Sequence, residues 1–520
     1  MSRPKWIDWR DSRTLRTIQF TVKSSPRRPS RVYPRCDELA DDSFWKALFM
    51  PTVHSSEDLL SIVSAMKRAH TAAGAPDAAL RRDRLQRAIQ LLLDNHQRIA
   101  QAISADFGHR SEYQSLTADL MTPVHAMRYA MAHLEQWMQP EPVETPANGM
   151  SAWIQPQPLG VVGIISPWNF PINLAFGPLA GVFAAGNTAL LKPSELTPNT
   201  SDLLCELVGR HFDPMELGVI LGDATVGSAF SHQPFDHLVF TGSTTVGRHV
   251  MRAAAENLVP VTLELGGKSP VFIDEGADIS TAVARVLTVK TFNAGQICLS
   301  PDYVLLPSAQ QDAFVAAARA FMAQSFPTLQ SNPDYTAVIS DRHFQRLIGL
   351  LEDAQAKGAT VVSLAPPGEP DFDAATRKLA PHLVLNVNDT MGVMQEELFG
   401  PILPVRGYVS CEEPMAYINA HPRPLAAYYF GDDLAKQQHF AERTTSGALI
   451  FNDVMSHASI EALPFGGVGA AGMGAYHGVH GFRRFTHAKA VVRQSDDGAS
   501  GLRLRAPYGE KQAAVKAALN

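Results

Sequence analysis

Apolar residues recur at helical spacing through the first part of the chain. Leu85, Ile89, Leu92, Leu93, Ile99 and Ile103 follow a 3.6-residue period, and Gly108 stands where a helix stop is wanted. A second long helix is expected over 111–138, followed by the loop-like EPVETPANGM at 141–150. Beyond that loop the pattern changes. Strands are expected at 159–166, 188–192, 218–221, 237–240 and 261–265, with helices at 172–185, 197–211 and 244–256 between them. This alternation predicts βαβ units and a parallel sheet, which binds ligands at the carboxyl ends of its strands. A second run of the same kind follows. It has strands at 302–307, 360–364, 379–387, within 395–408, and at LAAYYFG and SGALIFND, with helices at 310–325 and 343–358. The boundary between the two runs falls near 260–267, and the glycine-rich 463–482 reads as a surface loop.

Bulk properties narrow the class. A chain of 520 residues exceeds one hydrophobic core, so two or more domains are expected. With 45% hydrophobic and 18% charged residues it has an ordinary globular composition. The segment 174–191 is long enough to be weighed as a membrane span, but it is rich in Ala and Gly and holds Pro178, Asn187 and Thr188. A buried helix ending at Gly186-Asn187 and running into a strand fits better. A net charge of −6 speaks against nucleic acid as a partner. Cys36, Cys205, Cys298 and Cys411 lie far apart without metal-ligand spacing, which suits a reducing compartment and a cytoplasmic location.

Residues 1–49 carry 11 Lys/Arg against 6 Asp/Glu, leaving the remainder of the chain at −11. The Pro-rich SSPRRPSRVYPR is a poor amphipathic helix, so a transit peptide is disfavoured. A disordered tail, or translated sequence ahead of a start at Met50, is expected instead.

Candidate chemistry concentrates between 261 and 299. Glu264 ends a strand that turns through Gly266 and Gly267, and Cys298 stands behind Gly295 and Gln296. A thiol and a carboxylate beside glycines suit a nucleophile and its water-activating base; an inert buried thiol and a plain turn also fit. Cofactor signals lie at the strand ends. TGSTTVG (241–247) places Gly242, Ser243 and Gly247 at the start of a helix, where backbone N–H groups hold a pyrophosphate. It falls short of the GxGxxG pattern because Thr244 replaces the second glycine, and a simple glycine turn stays open. Lys192 and Glu195 flank another strand end, where a carboxylate bonds ribose hydroxyls and favours NAD over NADP, unless the two are only a solvated charge pair. His477 and His480, without a third ligand, make no metal site.

SPWNFP, LKPSE, FTGSTTVG, LELGGKSP, GQIC, EELFGPILPV and LPFGGVG occur in that order over nearly all of 50–489. Together they resemble the aldehyde dehydrogenase superfamily. SPDYVLLP, RPLAAYYF, NDVMSH and GMGAYHG resemble its class-three branch, which includes fatty and aromatic aldehyde oxidisers. The stretch 240–270 is most similar to bacterial coniferyl aldehyde dehydrogenases. The resemblance implies an α/β fold with a Rossmann-type cofactor domain (50–262, with an arm strand near 148–158), a second α/β catalytic domain (263–455) and a return segment over 456–520. A small β oligomerisation arm, formed by 151–157 with 489–493, would make a homodimer. The class-three pattern begins near the helix after Ser56, in keeping with a start at Met50. Ala471 departs from the Ser of many relatives, and the tail lacks the hydrophobic anchor of the membrane-bound members, which implies a soluble form without a membrane anchor.

By the same resemblance Cys298 attacks a small-molecule aldehyde, aromatic or aliphatic, and the Asn169 amide with the Cys298 N–H holds the oxyanion. NAD, or NADP, takes the hydride, and Glu264 activates water against the thioester. Glu397 would bond the nicotinamide ribose, Phe399 and Trp168 would flank the cofactor, Lys192 and Glu195 would hold the adenosine ribose, and Ser243 the pyrophosphate. Lys268 is expected as a structural partner, with a Glu264–Lys268 pair as the bland alternative. A CoA-acylating dehydrogenase, a non-oxidative thiol hydrolase and a catalytically retired binding protein of the same fold are the rival readings.

Overall fold

A computed structural model describes residues 55–145, 150–494 and 504–520. The expected extension over 1–49 lies outside the described residues. The amino-terminal helices begin where their caps dictate. Ser55 and Asp58 form a reciprocal capping box ahead of Ser56–Ala73, and Asp77 caps Ala78–Asp94. His96–Phe107 stops at Gly108, whose φ of 78° is open to a residue without a Cβ. The long helix expected over 111–138 is not regular. A π-helical stretch, Ser115–Met121, precedes Thr122–Trp137, which turns Asp119 into the interior.

Two parallel sheets dominate the fold. In the first, neighbouring strands run Gly472–Met473, Val261–Leu265, His237–Gly242, Val161–Ile165, Thr188–Lys192, Leu217–Val219. Its inner strands are apolar runs buried on both faces because helices cover both sides. The would-be membrane segment is the helix Asn173–Ala184 followed by the strand Thr188–Lys192. Among the described residues no helix is long and apolar enough to cross a membrane.

The second sheet runs Thr360–Ser363, His382–Leu385, Ile402–Tyr408, Pro301–Pro307, Ser269–Ile273, Ala426–Phe430, Ala448–Phe451. Its first pair is antiparallel and the rest parallel. Ser269–Ile273 is a strand that the hydrophobic pattern does not announce, because only six residues separate the Gly-Gly turn from Asp274. The chain therefore leaves the first sheet at Leu265 and enters the second at Ser269, crossing in three residues. EPVETPANGM is also not all loop: Glu141–Val143 joins Ser151–Pro158 and Thr486–Arg493 in a small antiparallel sheet.

The glycine-rich tail corrects a second expectation. Rather than a surface loop, it contributes an edge strand antiparallel to Val261–Leu265, pairing Gly472 with Glu264 and Met473 with Leu263. Ala471 is fully buried beside it. The approach is close enough that a Cβ on Gly472 would lie 1.9 Å from the Leu263 carbonyl oxygen, and its φ is 132°. Only glycine fits there.

Candidate active site

The two sheets meet at a cleft of about 740 Å³, within the size range of ligand pockets. From the first sheet come the carboxyl ends of adjacent strands: Trp168 and Asn169 after Val161–Ile165, Gly242 and Ser243 at the end of His237–Gly242, and Glu264 near the end of Val261–Leu265. The second sheet contributes the opposite ends. Lys268, Cys298, Glu397 and Phe399 all stand ahead of the strands that follow them. Eight of the residues singled out in the sequence, Trp168, Asn169, Gly242, Ser243, Glu264, Cys298, Glu397 and Phe399, thus line one cleft.

The loop bearing Cys298 is backbone-strained and tightly held. After the helix Ile279–Thr291 the chain makes a short turn in which Asn293 and Ala294 have φ of 51° and Gly295 of 72°. Left-handed non-glycine residues cost on the order of 1 kcal/mol or more each, so the surroundings must over-determine them. They do. The Asn293 N–H donates to Gln114 Oε1 at 2.9 Å, and Gln296 Nε2 donates to the Asn293 and Ala337 carbonyls at 2.9 and 3.1 Å. Gln296 Oε1 accepts from the Ile339 N–H at 3.0 Å. Beyond the cysteine, the Tyr428 hydroxyl donates to the Leu299 carbonyl at 2.6 Å.

Asn169 docks on the same loop. Its Nδ2 donates to the Gln296 carbonyl at 3.1 Å, an acceptor shared with Asn293 Nδ2 at 3.1 Å. An amide nitrogen carries two N–H groups, so one bond to Gln296 leaves a second donor on a side chain that lines the cleft with Cys298. Sequence reasoning passes over Asn293, Gln114 and the Gln296 side chain because their contribution is a three-dimensional network with no periodic signature.

Electrostatics set the proton states. Glu264 is buried and neither of its carboxylate oxygens has a hydrogen-bond partner among the described residues. Burial pushes its pKa well above the ordinary value, with Arg484 opposing. Burial, then the neighbouring Glu397 and Glu264 carboxylates, push the Cys298 thiol up to about 12. Glu397 is raised to about 8 by burial and by Asp302. The bland pairing of Glu264 with Lys268 does not occur. Lys268 instead forms an ion pair with Asp302 and donates to the Val393 and Glu396 carbonyls at 2.9 Å each. Asp302 in turn accepts from the Leu398 N–H at 2.9 Å, so the pair anchors the loop carrying Glu397. Arg346, another residue without a sequence signal, donates to the Glu397 carbonyl at 3.3 Å and also to that of Leu398.

The cleft fits a nicotinamide dinucleotide on its own features. The Gly266-Gly267 turn cradles Glu397: a Cβ on Gly266 would lie 2.0 Å from its carboxylate, and the Gly267 N–H bonds it. Glu397 Oε1 is nevertheless buried without a partner, the state of an acceptor kept for a ligand hydroxyl. Phe399 and Trp168 meet edge to face at 5.3 Å. Ser243 caps the helix Thr244–Glu256, accepting from the Val246 N–H at 3.3 Å, so the positive end of that helix opens on the cleft. Lys192 and Glu195 stand at the end of the next strand outward, 3.4 Å apart, Lys192 buried and Glu195 exposed. Gly247 faces inward, where a Cβ would strike Leu265 at 2.6 Å; its place is in helix–strand packing.

A Rossmann-type sheet facing a second parallel sheet across a thiol-bearing dinucleotide cleft is the construction of a nicotinamide-dependent oxidoreductase. Comparison with known proteins narrows the class. The model described as "Aldehyde dehydrogenase family" matches residues 48–491. A coniferyl aldehyde dehydrogenase of Pseudomonas sp. (strain HR199 / DSM 7063) is 56% identical over 455 residues, covering 88% of this chain and 95% of its own length. Aldehyde dehydrogenase family 3 member A2 of Rattus norvegicus is 38% identical over 421 residues, 80% of this chain and 85% of that protein. Among solved structures, the substrate-bound state of Staphylococcus aureus AldH superposes with a TM-score of 0.84 at 35% identity, covering 90% of this chain and 100% of that one. A Mycobacterium tuberculosis aldehyde dehydrogenase complexed with NAD+ gives 0.76 at 28% identity over 85% of this chain and 92% of its own. The chain belongs to the aldehyde dehydrogenase family. It is an enzyme of NAD(P)-dependent aldehyde oxidation.

Proposed function

We propose that this enzyme oxidises an aromatic aldehyde of the coniferaldehyde type to the carboxylic acid, with Cys298 as nucleophile, Asn169 as oxyanion donor and Glu264 as the base that activates water. The observation that carries the reading is the convergence of these three side chains on one cleft. The 56% identity to a coniferyl aldehyde dehydrogenase supports the substrate class.

The Cys298 thiolate attacks the aldehyde carbon, since the thiolate is the reactive form. The thiol, raised to about 12 by burial and its carboxylate neighbours, loses its proton to solvent water before it attacks, which leaves Glu264 free to act as the base of the later step. The tetrahedral alkoxide forms against the free N–H of Asn169 Nδ2 and the Cys298 backbone N–H; a lost donor of this kind typically costs about 10²–10³ in rate. When bound, the oxidised nicotinamide supplies the hydride acceptor that lets the alkoxide collapse to a thioester. Glu264 then takes a proton from water, the hydroxide adds to the thioester carbonyl, and the carboxylic acid leaves as the Cys298 thiolate is restored. Glu397 and Phe399 would hold the nicotinamide riboside, and Trp168 would stand beside the dinucleotide. Gly242 and Ser243, with Gly247 packing the helix behind them, would hold the pyrophosphate. Lys192 and Glu195 would hold the adenosine ribose, the exposed carboxylate repelling a 2′-phosphate and so favouring NAD over NADP.

The sheet of Glu141–Val143, Ser151–Pro158 and Thr486–Arg493 is exposed over most of its length, with Val143 and Val492 among its open apolar residues. We assign it as the arm of a homodimer. Cys205, Cys298 and Cys411 are unpaired, in keeping with the cytoplasm. Residues 50–262 with 456–520 would form the cofactor domain, arm and tail, and 263–455 the catalytic domain. NADH formation with coniferaldehyde, benzaldehyde, hexanal and decanal, each with NAD+ and NADP+, tests the proposal. Coniferaldehyde with NAD+ is expected to give the highest kcat/KM and free acid without added CoA. A preference for decanal would overturn the substrate class, and a CoA requirement would overturn the role of Glu264.

A further inference from the structure

One buried ion pair is left unused by this chemistry. Arg110 and Asp119 are both fully enclosed, with Nη2 and Oδ2 2.9 Å apart. The pair belongs to the amino-terminal helical region, yet both partners reach to the 169–173 loop. Arg110 Nη1 donates to the Asn169 carbonyl at 3.0 Å. Asp119 Oδ1 accepts from the Ile172 and Asn173 N–H groups at 3.1 and 3.3 Å. The helix Asn173–Ala184 has no side-chain cap of its own, so Asp119 satisfies donors that a helix start otherwise leaves orphaned and sets a negative charge at its positive end. The Arg110 guanidinium also lies over the Phe107 and Phe170 rings at 5.1 and 4.9 Å.

We propose that Arg110 and Asp119 are positioning residues for the Asn169 carboxamide. The inference rests on the role of Asn169 given above. Three constraints meet on this one residue. Its carbonyl is fixed by Arg110 and by Asn293 Nδ2 at 3.2 Å, its side chain by the Gln296 carbonyl at 3.1 Å, and the chain just beyond it by Asp119. The π-helical stretch Ser115–Met121 carries Asp119, and such irregular turns recur where a side chain must be aimed. A buried ion pair adds little stability over well-packed apolar residues of the same volume. Its directed bonds to a loop that bears a donor to the reacting centre are what an apolar pair cannot replace.

The test compares Asp119→Asn, Arg110→Met/Asp119→Leu and Asn169→Ala, with each of the first two also combined with Asn169→Ala. The pre-steady-state NADH burst, kcat, KM for coniferaldehyde and thermal midpoint are measured on the full chain. A misplaced group can cost about 10²-fold in rate, so the two pair variants are expected to slow the burst about 10- to 100-fold with KM little changed. In the Asn169→Ala background the same changes should add almost nothing, because effects passing through one contact are not additive. If Asp119→Asn fails to fold, the double variant, which removes both charges together, carries the test. Equal losses in the two backgrounds, or wild-type bursts in the pair variants, would overturn the inference alone. A wild-type burst in Asn169→Ala would instead overturn the role of Asn169 itself.

Discussion

Gly472→Ala is a small change with a large expected effect, because it acts on the strand that carries Glu264. Gly472 pairs with Glu264 across the edge of the first sheet. The new Cβ would stand 1.9 Å from the Leu263 carbonyl oxygen, more than an ångström inside the 3.0 Å that real Cβ contacts respect. The obstacle is backbone, so no side chain can swing away. Two costs combine. A non-glycine residue at φ 132° stores about 1–3 kcal/mol of strain, and overpacking of a tight contact adds about 1–3 kcal/mol. The variant should therefore lose about 2–6 kcal/mol of stability or relax by opening the edge. Opening shifts the Glu264 backbone by about an ångström, enough for roughly a 10²-fold loss in a positioned step. Thermal denaturation reads the first consequence. Steady-state NADH formation set against the first-turnover burst reads the second: kcat should fall while the burst amplitude survives. A variant with wild-type thermal midpoint and wild-type kcat would refute the reasoning.

The Cys298 thiol, raised to about 12 by burial and by Glu397 and Glu264, stays protonated at neutral pH, so alkylation by iodoacetamide in the cofactor-free protein should rise steadily from pH 7 to pH 10. Glu397, itself raised to about 8, is a negative neighbour mainly above that pH, so Glu397→Gln should speed alkylation at pH 9 to 10 more than at pH 7; a wild-type rate that levels off by pH 8 would contradict this. Glu216 offers a stability test. Its buried carboxylate takes Arg84 Nε at 3.1 Å and Arg87 Nη1 at 2.8 Å. Burial raises its pKa, but the Arg87 bond and both arginine charges outweigh it and hold it below the ordinary value of 4.5. A depressed folded pKa gives stability that is present above the unfolded value and lost as pH falls through the folded one. Glu216→Gln should thus cost about 3–5 kcal/mol at pH 7 by leaving buried arginine charge uncompensated, with a smaller difference from wild type below pH 4. A difference that is the same at pH 7 and pH 4, measured by urea unfolding, would contradict the assignment.

The βαβ alternation was legible because its strands are continuous apolar runs between helices of amphipathic period. Thr188–Lys192, Thr244–Glu256 and Val261–Leu265 fall where the pattern predicts them. Ser269–Ile273 escapes because it follows the Gly-Gly turn by a single residue and opens on Ser-Pro, so it cannot be told from the exit of that turn. The tail over 463–482 reads as a loop because glycine density ordinarily marks flexible chain. Here the glycines permit close backbone pairing and let Gly472 lie against Leu263. Cys298, Glu264 and Asn169 are marked by their motif neighbours, but what aims them is not. The partners Arg110, Gln114 and Asp119 share one short stretch, far along the chain from Asn169 and Asn293, and meet them only in three dimensions. Lys268 shows the same limit: its partner, Asp302, lies 34 residues away, not at the nearby glutamate.

Whether Cys298 forms a thioester that Glu264 causes water to hydrolyse is read out by a single-turnover experiment on Glu264→Gln. The enzyme is mixed with NAD+ and coniferaldehyde, NADH is followed, and the Cys298 peptide is then weighed by mass spectrometry. One NADH per active site is expected without sustained turnover, with a Cys298 peptide heavier by the aldehyde mass less two hydrogens. Sustained NADH formation at the wild-type rate, or a burst that leaves Cys298 unmodified and the acid free in solution, would contradict it.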